Sequence, residues 1–199
     1  MRDRRSIKRI FEHYGGMMRT AQLTAEKVYY KDIFYLMQEG YIEKVRRGYY
    51  QWTDAESVSE VVTVTRLFPD GIFCMDTALR YYGYSDRTPG EWHLAVNKYA
   101  NRSRFSLDYP FVRSYYVEPK ILELGLCKQT FDGVVVRIYD KERVICDCLR
   151  YRNKMDKEIF NKAIQNYIAD TTKNIPRLMS YAAQLRVATV ARNLIGVWL

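Results

Sequence analysis

Two adjacent arginines and a glycine, Arg46-Arg47-Gly48, stand between the β-forming residues Val45 and Tyr49-Tyr50. A glycine at that place suits the tight turn of a hairpin, so both guanidinium groups project from its tip. Guanidinium groups on a protruding loop suit phosphate oxygens or the narrow minor groove of A·T-rich duplex. Lys44 stands just before them. Upstream, Val28, Ile33, Leu36 and Met37 have the spacing of a helix's inner face. That leaves Tyr29, Tyr30, Lys31, Tyr35 and Gln38 to face a major groove, with Phe34 on neither side. Arg19 and Thr20, at the start of the preceding helical segment, are placed for phosphates at the groove edge.

Other chemistry is weaker. Asp108, Glu118 and Lys120 approximate the carboxylate and lysine spacing of metal-dependent nucleases, whose carboxylates hold a divalent cation. Pro119 stands between the last two, and proline suits a central strand badly. Tyr81, Tyr82 and Tyr84 invite a base-stacking reading, but their helical spacing fits a core or an interface better. No nucleophile elbow, zinc-protease helix, Walker loop or dinucleotide glycine pattern occurs, so no enzyme and no cofactor is expected. The cysteines, Cys74, Cys127, Cys146 and Cys148, form no metal-site pair, and His13 and His93 are far apart. No metal is expected, and the thiols fit a reducing compartment.

These side chains need elements to hold them. Ile7, Ile10, Phe11 and Tyr14 repeat at helical spacing between Arg5 and Tyr14, and Gly15-Gly16 ends that segment. A second helix is expected over Arg19–Glu26 with Thr20 as its N-cap, and a third over Tyr29–Gln38, stopped by Gly40. A basic hairpin, Ile42 to Tyr50, closes the module. Three helices and a basic hairpin are the order of a winged helix-turn-helix.

The charge supports that reading. The 199 residues carry a net +9. Residues 1–52 hold 11 Lys and Arg against 6 Asp and Glu, a net of +5, while 53–199 hold 21 against 17. The excess is densest in the N-terminal module, and a polyanion is the partner it suits.

Beyond the module, Val58, Val61, Val62, Val64 and Leu67 predict a helix over 54–66, with Asp54 near its start. Strands are expected at Glu91–Val96, Phe111–Val117, Cys127–Phe131 and Val134–Tyr139, the last two joined through Asp132-Gly133. Val144, Ile145, Cys148 and Leu149 mark one helix, and Ile159 to Ile168 a second. Asn174 caps a third, with Pro176 just inside it, and Val190, Leu194 and Val197 mark a last. The expected fold class is α+β: a winged helix-turn-helix over 1–53, then a mixed α/β domain over 54–199 with a small sheet and a C-terminal helical group. Arg137, Lys141, Arg143, Arg150, Arg152 and Lys154 cluster in sequence as either a basic patch or a solvated helix face. Without an apolar run of membrane-spanning length or a signal-peptide core after Met1, a cytoplasmic protein without membrane contact is expected.

Gly15 to Leu23, the third helix and Val45 to Tyr50 together resemble the N-terminal module of the AbiEi antitoxins, regulators of phage abortive infection classed as type IV toxin–antitoxin systems. Ala78 to Gly83, Glu91 to Val96 and Lys141 to Arg150 are similar to blocks of that family's second domain, so the resemblance covers nearly the whole chain. It implies an antitoxin that represses its own operon, cooperatively, on inverted repeats in promoter DNA. The implied functional partner is a nucleotidyltransferase-like toxin, without a stable complex between the two. The second domain would carry the antitoxin activity, with the basic cluster from Arg137 to Lys154 as its candidate surface. No heptad seam is present for a strong dimer, so a monomer that pairs on DNA is expected. Family members often place several arginines along the third helix, where this chain has Tyr30, Lys31, Phe34 and Tyr35. Two other readings stay open: an interaction protein that neutralises a toxin by direct contact without binding DNA, and the metal-dependent nuclease.

Overall fold

The computed structural model describes residues 3–53, 59–107 and 109–196. The chain is α+β and divides into two compact units, Met1–Arg66 with Leu107–Tyr109, and Leu67–Ser106 with Pro110–Leu199. The expected boundary at 53/54, the helix start at Asp54 and Val58, the carboxylate of Asp108 and the apolar Val197 all fall at or within segments outside the described residues.

In the first unit, α1 (Arg4–His13) starts where the Asp3 carboxylate accepts the Ser6 N–H at 3.3 Å. Of the expected stripe it buries Ile7 and Phe11, with Ile10 and Tyr14 partly buried against the same core. Gly15 and Gly16, at φ +68° and +85°, turn the chain into β1 (Met17–Arg19). α2 (Thr20–Ala25) begins one residue earlier than a Thr20 cap would place it. Arg19 is the N-cap, its N–H donating to the Gln22 side chain at 2.8 Å. Thr20 instead donates its N–H and its hydroxyl to the Gly48 carbonyl, at 2.9 and 3.3 Å.

Four residues, Glu26 to Tyr29, separate α2 from α3 (Tyr30–Gln38), and Lys27 among them sits at φ +59°. The Asp32 carboxylate accepts the Tyr29 N–H at 3.2 Å and fixes the start of α3. Gly40, at φ +73°, releases the chain into β2 (Ile42–Arg46), which pairs antiparallel with β3 (Tyr49–Trp52). β1 adds to the far side of β3, giving the strand order β1-β3-β2. The core beneath comprises Ile7, Phe11, Met18, Leu23, Val28, Ile33, Leu36, Ile42 and Trp52. α4 (Glu60–Leu67) carries the chain into the second unit.

The second unit holds a five-stranded sheet, ordered β6-β5-β4-β8-β7. Its strands are β4 (Ile72–Phe73), β5 (Trp92–Asn97), β6 (Val112–Val117), β7 (Leu126–Phe131) and β8 (Val134–Tyr139). β5 and β6 run parallel, as do β4 and β8, and the other pairs are antiparallel. The β7–β8 turn uses Asp132 and Gly133 at φ +48° and +77°, the two left-handed residues of a primed hairpin turn. α5 (Met75–Tyr81) follows β4, and the short α6 (Pro119–Leu122) follows β6. The C-terminal helical group is α7 (Lys141–Tyr151), α8 (Lys157–Ala169), α9 (Ile175–Gln184) and α10 (Ala188–Ile195). Asn174 caps α9 by accepting the Arg177 N–H at 2.9 Å, with Pro176 inside the first turn. α10 buries Ala191 and Ile195, one position on from the expected Val190 and Leu194.

α7 packs against α5, α8, α9 and α10. Glu142 to Leu149 are all buried, so the helix is enclosed on every side rather than amphipathic. Among the described residues no helix is long and apolar enough to cross a membrane.

Candidate nucleic-acid interface

α3 turns Asp32, Ile33 and Leu36 inward. Its outward stripe is Tyr30, Lys31, Phe34, Met37 and Gln38, at spacings of one, three and four residues that share one face. Tyr30 is 76% exposed, Phe34 50% and Met37 38%. The Tyr30 and Phe34 rings stack with centroids 6.2 Å apart and planes 24° from parallel. Tyr29, exposed, precedes them at the N-cap.

Three sequence expectations change here. Tyr35, expected to face outward, is half-buried against the core of the unit. Met37, expected inside, is outside, and Phe34 joins the exposed face. The reason is geometric: on the helical wheel Tyr35 falls beside Asp32, at the margin of the arc that Asp32, Ile33 and Leu36 bury, while Phe34 falls opposite that arc.

The hairpin presents Lys44 and Arg47 to solvent. Gly48 closes the turn at φ +80°. The register slips between Lys44 and Arg46, a bulge at Val45 that sharpens the twist of the strand toward the tip. Arg46 is half-buried, its guanidinium 4.2 Å over the Tyr49 ring. Tyr49 also pairs with Arg19, so Arg19, Tyr49 and Arg46 lie in one row across the three strands. Arg19 is exposed, and Thr20 is tied to the hairpin turn through Gly48. The exposed cations Arg19, Lys44 and Arg47 therefore sit on one small sheet.

The basic cluster expected in the second unit does not assemble as a patch. Arg137 is half-buried and pairs with Glu123 at 3.3 Å. Lys141 pairs with Asp170 at 2.6 Å and also meets Thr172. Hydrogen bonds from Lys141, Tyr84 and Thr172 outweigh desolvation and hold the Asp170 carboxyl below the usual carboxylate range. Arg143 is fully buried. Only Arg150, Arg152 and Lys154 are exposed, and Arg152 donates to the Leu149 carbonyl at 3.0 Å. The nuclease spacing fares no better. Glu118 is ion-paired with Lys98 at 2.8 Å, and Pro119 begins α6, so Glu118 and Lys120 are not alternate positions on a strand.

A buried titratable cluster in the second unit had no readable sequence signal beyond a lone histidine. His93 is 3% exposed. Its Nδ1 accepts the Asp76 N–H at 3.3 Å and lies 3.4 Å from the Tyr115 hydroxyl, while its Nε2 is 3.7 Å from Glu91, itself paired with Arg113. Met75, beside it, holds φ +45°. Burial, with a smaller contribution from Arg113, lowers the imidazole to about 4. It is therefore neutral when folded, whereas in the unfolded chain it protonates near 6.5.

Stability from this site is complete above that value and lost as pH falls toward 4, because the unfolded state then binds the extra proton. Asp76 and Asp140, raised by desolvation, act in the opposite sense. Comparison with a His93→Gln variant removes their effect. In urea unfolding, the stability gap between the two proteins should narrow by about 2 kcal/mol between pH 7 and pH 5. A gap that does not change with pH would contradict a neutral buried His93.

The class these features define is an α+β protein of two units, the first with a basic three-stranded sheet and an exposed aromatic helix. No known family's model matches the chain, and no curated protein sequence does. Among solved structures it is similar to the RV2827C protein from Mycobacterium tuberculosis, with a TM-score of 0.66 and 12% identity over 96% of this chain and 80% of that one. At that identity the likeness is one of fold.

Proposed function

We propose that the first unit is a winged helix-turn-helix that binds double-stranded DNA, with α2 and α3 as the helix pair and the β2–β3 hairpin as the wing. The observation that carries this reading is the exposed face of α3, joined through Gly40 to a hairpin whose tip is the exposed Arg47. The four-residue connection between α2 and α3 has the length of a helix-turn-helix turn. Its Lys27 takes the left-handed conformation that glycine often supplies there. α3 enters the major groove, and Arg19, Lys44, Arg46 and Arg47 meet the flanking backbone.

The chain then acts as the autorepressing antitoxin of a type IV toxin–antitoxin system, a role supported by its resemblance to the AbiEi antitoxins. In this reading it binds inverted repeats upstream of its own reading frame, pairing on DNA from a monomer, and counters a nucleotidyltransferase-like toxin without a stable complex.

A gel-shift titration against that upstream DNA tests the regulator half. With about 4–6 phosphates neutralised per protomer, log K should fall against log salt with a slope of roughly −4 to −5. An affinity indifferent to salt would overturn it. Restored growth on co-expression with the neighbouring toxin tests the antitoxin half. The second reading, a direct-contact interaction protein, is favoured by the exposed Tyr29, Tyr30, Phe34 and Met37, and predicts co-purification with the toxin and no DNA shift.

A further inference from the structure

Four of the nine exposed large hydrophobic side chains among the described residues, Tyr29, Tyr30, Phe34 and Met37, lie on α3 or at its N-cap. Desolvating them against a ligand is favourable, so the face selects for apolar surface. Arginine, which pairs in bidentate fashion with guanine, is absent from α3, whose single cation is Lys31. In the major groove of DNA one base group is apolar, the 5-methyl of thymine.

We propose that α3 selects its binding site through thymine methyl groups, which the stacked Tyr30 and Phe34 rings cover, with Met37 extending the same ledge. This rests on the DNA-binding reading above. The stripe from Tyr30 to Gln38 is about 12 Å long, the rise of roughly three to four base pairs along the groove. Gln38 at its far end carries the amide that pairs with the N6 and N7 edge of adenine. The face therefore suits a T- and A-bearing half-site rather than a guanine-rich one.

Duplex DNA is favoured over a protein partner by the charge around the ledge. Lys31 lies within the stripe, and Arg19, Lys44 and Arg47 are exposed on the adjoining sheet. Glu39 and Glu43, the exposed acidic neighbours, follow the C-terminus of α3, away from its N-terminal turn, where Tyr30 and Phe34 stand.

The test uses the full chain and a short duplex spanning the footprint it leaves upstream of its own reading frame. Replacing the thymines of that duplex with deoxyuridine removes the methyls and keeps pairing and charge. Each methyl buried is worth about fourfold, so two or more covered methyls should weaken binding about tenfold or more in fluorescence anisotropy. Affinity for a scrambled duplex should stay unchanged. Phe34→Ala, at a half-exposed position outside the core, should lose a similar factor and no longer distinguish thymine from deoxyuridine. Equal binding of both duplexes by the unaltered protein would overturn the methyl reading and leave DNA binding intact. Failure to bind any duplex would overturn both. Unchanged DNA affinity in Phe34→Ala together with loss of a co-purifying protein would overturn it in favour of protein docking.

Discussion

Replacing Arg143 with alanine will destabilise the second unit by about 3–5 kcal/mol, the usual cost of breaking a buried ion pair on one side only. The guanidinium is enclosed completely. Its Nε donates to Asp147 at 3.1 Å, and its Nη1 donates to the carbonyls of Ile121 and Leu124 at 2.7 and 2.8 Å. The plane lies 4.2 Å from the Tyr139 ring centre. One side chain thus ties α7 to α6 and to the loop between α6 and β7, where Gly125, at φ +75°, leaves room for it. A Cβ at Gly125 would stand 2.5 Å from the Cβ of Arg143.

Truncation leaves Asp147 buried without its partner. Desolvation already raises that carboxyl, against the pull of Arg143. Nη2 has no hydrogen-bond partner among the described residues, so the pair is incompletely satisfied. A paired replacement, Arg143→Met with Asp147→Leu, should therefore recover much of the loss. Urea unfolding of the single and double variants decides it. A single variant within about 1 kcal/mol of the parent, or a double variant no better than the single, would refute the ion-pair account.

This arginine also shows where reading from sequence ran out. Lys141 to Arg150 reads as a charged helix with one apolar stripe, and the stripe of Val144, Ile145, Cys148 and Leu149 is buried as expected. Hydropathy gives no sign that four other helices cover the remaining sides, so Arg143 passes for a surface cation. The uninterrupted Val144-Ile145-Cys146 before Asp147 was the one available hint of burial all round.

Elements with a long period were legible: the α1 stripe, the four longer strands of the second sheet, the Asp132-Gly133 turn and the Asn174 cap. β1 and β4, of three and two residues, are too short to show alternation. They form because neighbouring strands offer unpaired edges. At the candidate interface the basic hairpin was legible from Arg46-Arg47-Gly48. The face of α3 was legible only in part, since hydropathy puts Met37 inside and Tyr35 outside, the reverse of what their positions on the helix allow.

The division of labour within that interface leads to the other large effect. Arg19, Lys44 and Arg47 are exposed and lie outside the groove-facing stripe, so in the proposed complex they meet phosphates and carry no sequence information. Arg46, over the Tyr49 ring, is left in place to keep the sheet intact. Changing Arg19, Lys44 and Arg47 together to alanine should lower affinity by roughly 10²–10³-fold near 0.1 M salt, because each lost phosphate contact forfeits about one released counterion. The slope of log K against log salt should flatten by about 3, from roughly −4 to −5 toward −1 to −2.

The ratio of affinities for specific and scrambled duplex should hold, since α3 is untouched. A Lys31→Ala variant should behave differently, shifting that ratio more than the slope. Three cations removed with no change in the salt slope would place the duplex somewhere other than this sheet, and α3 would then have to be reconsidered as a face for protein.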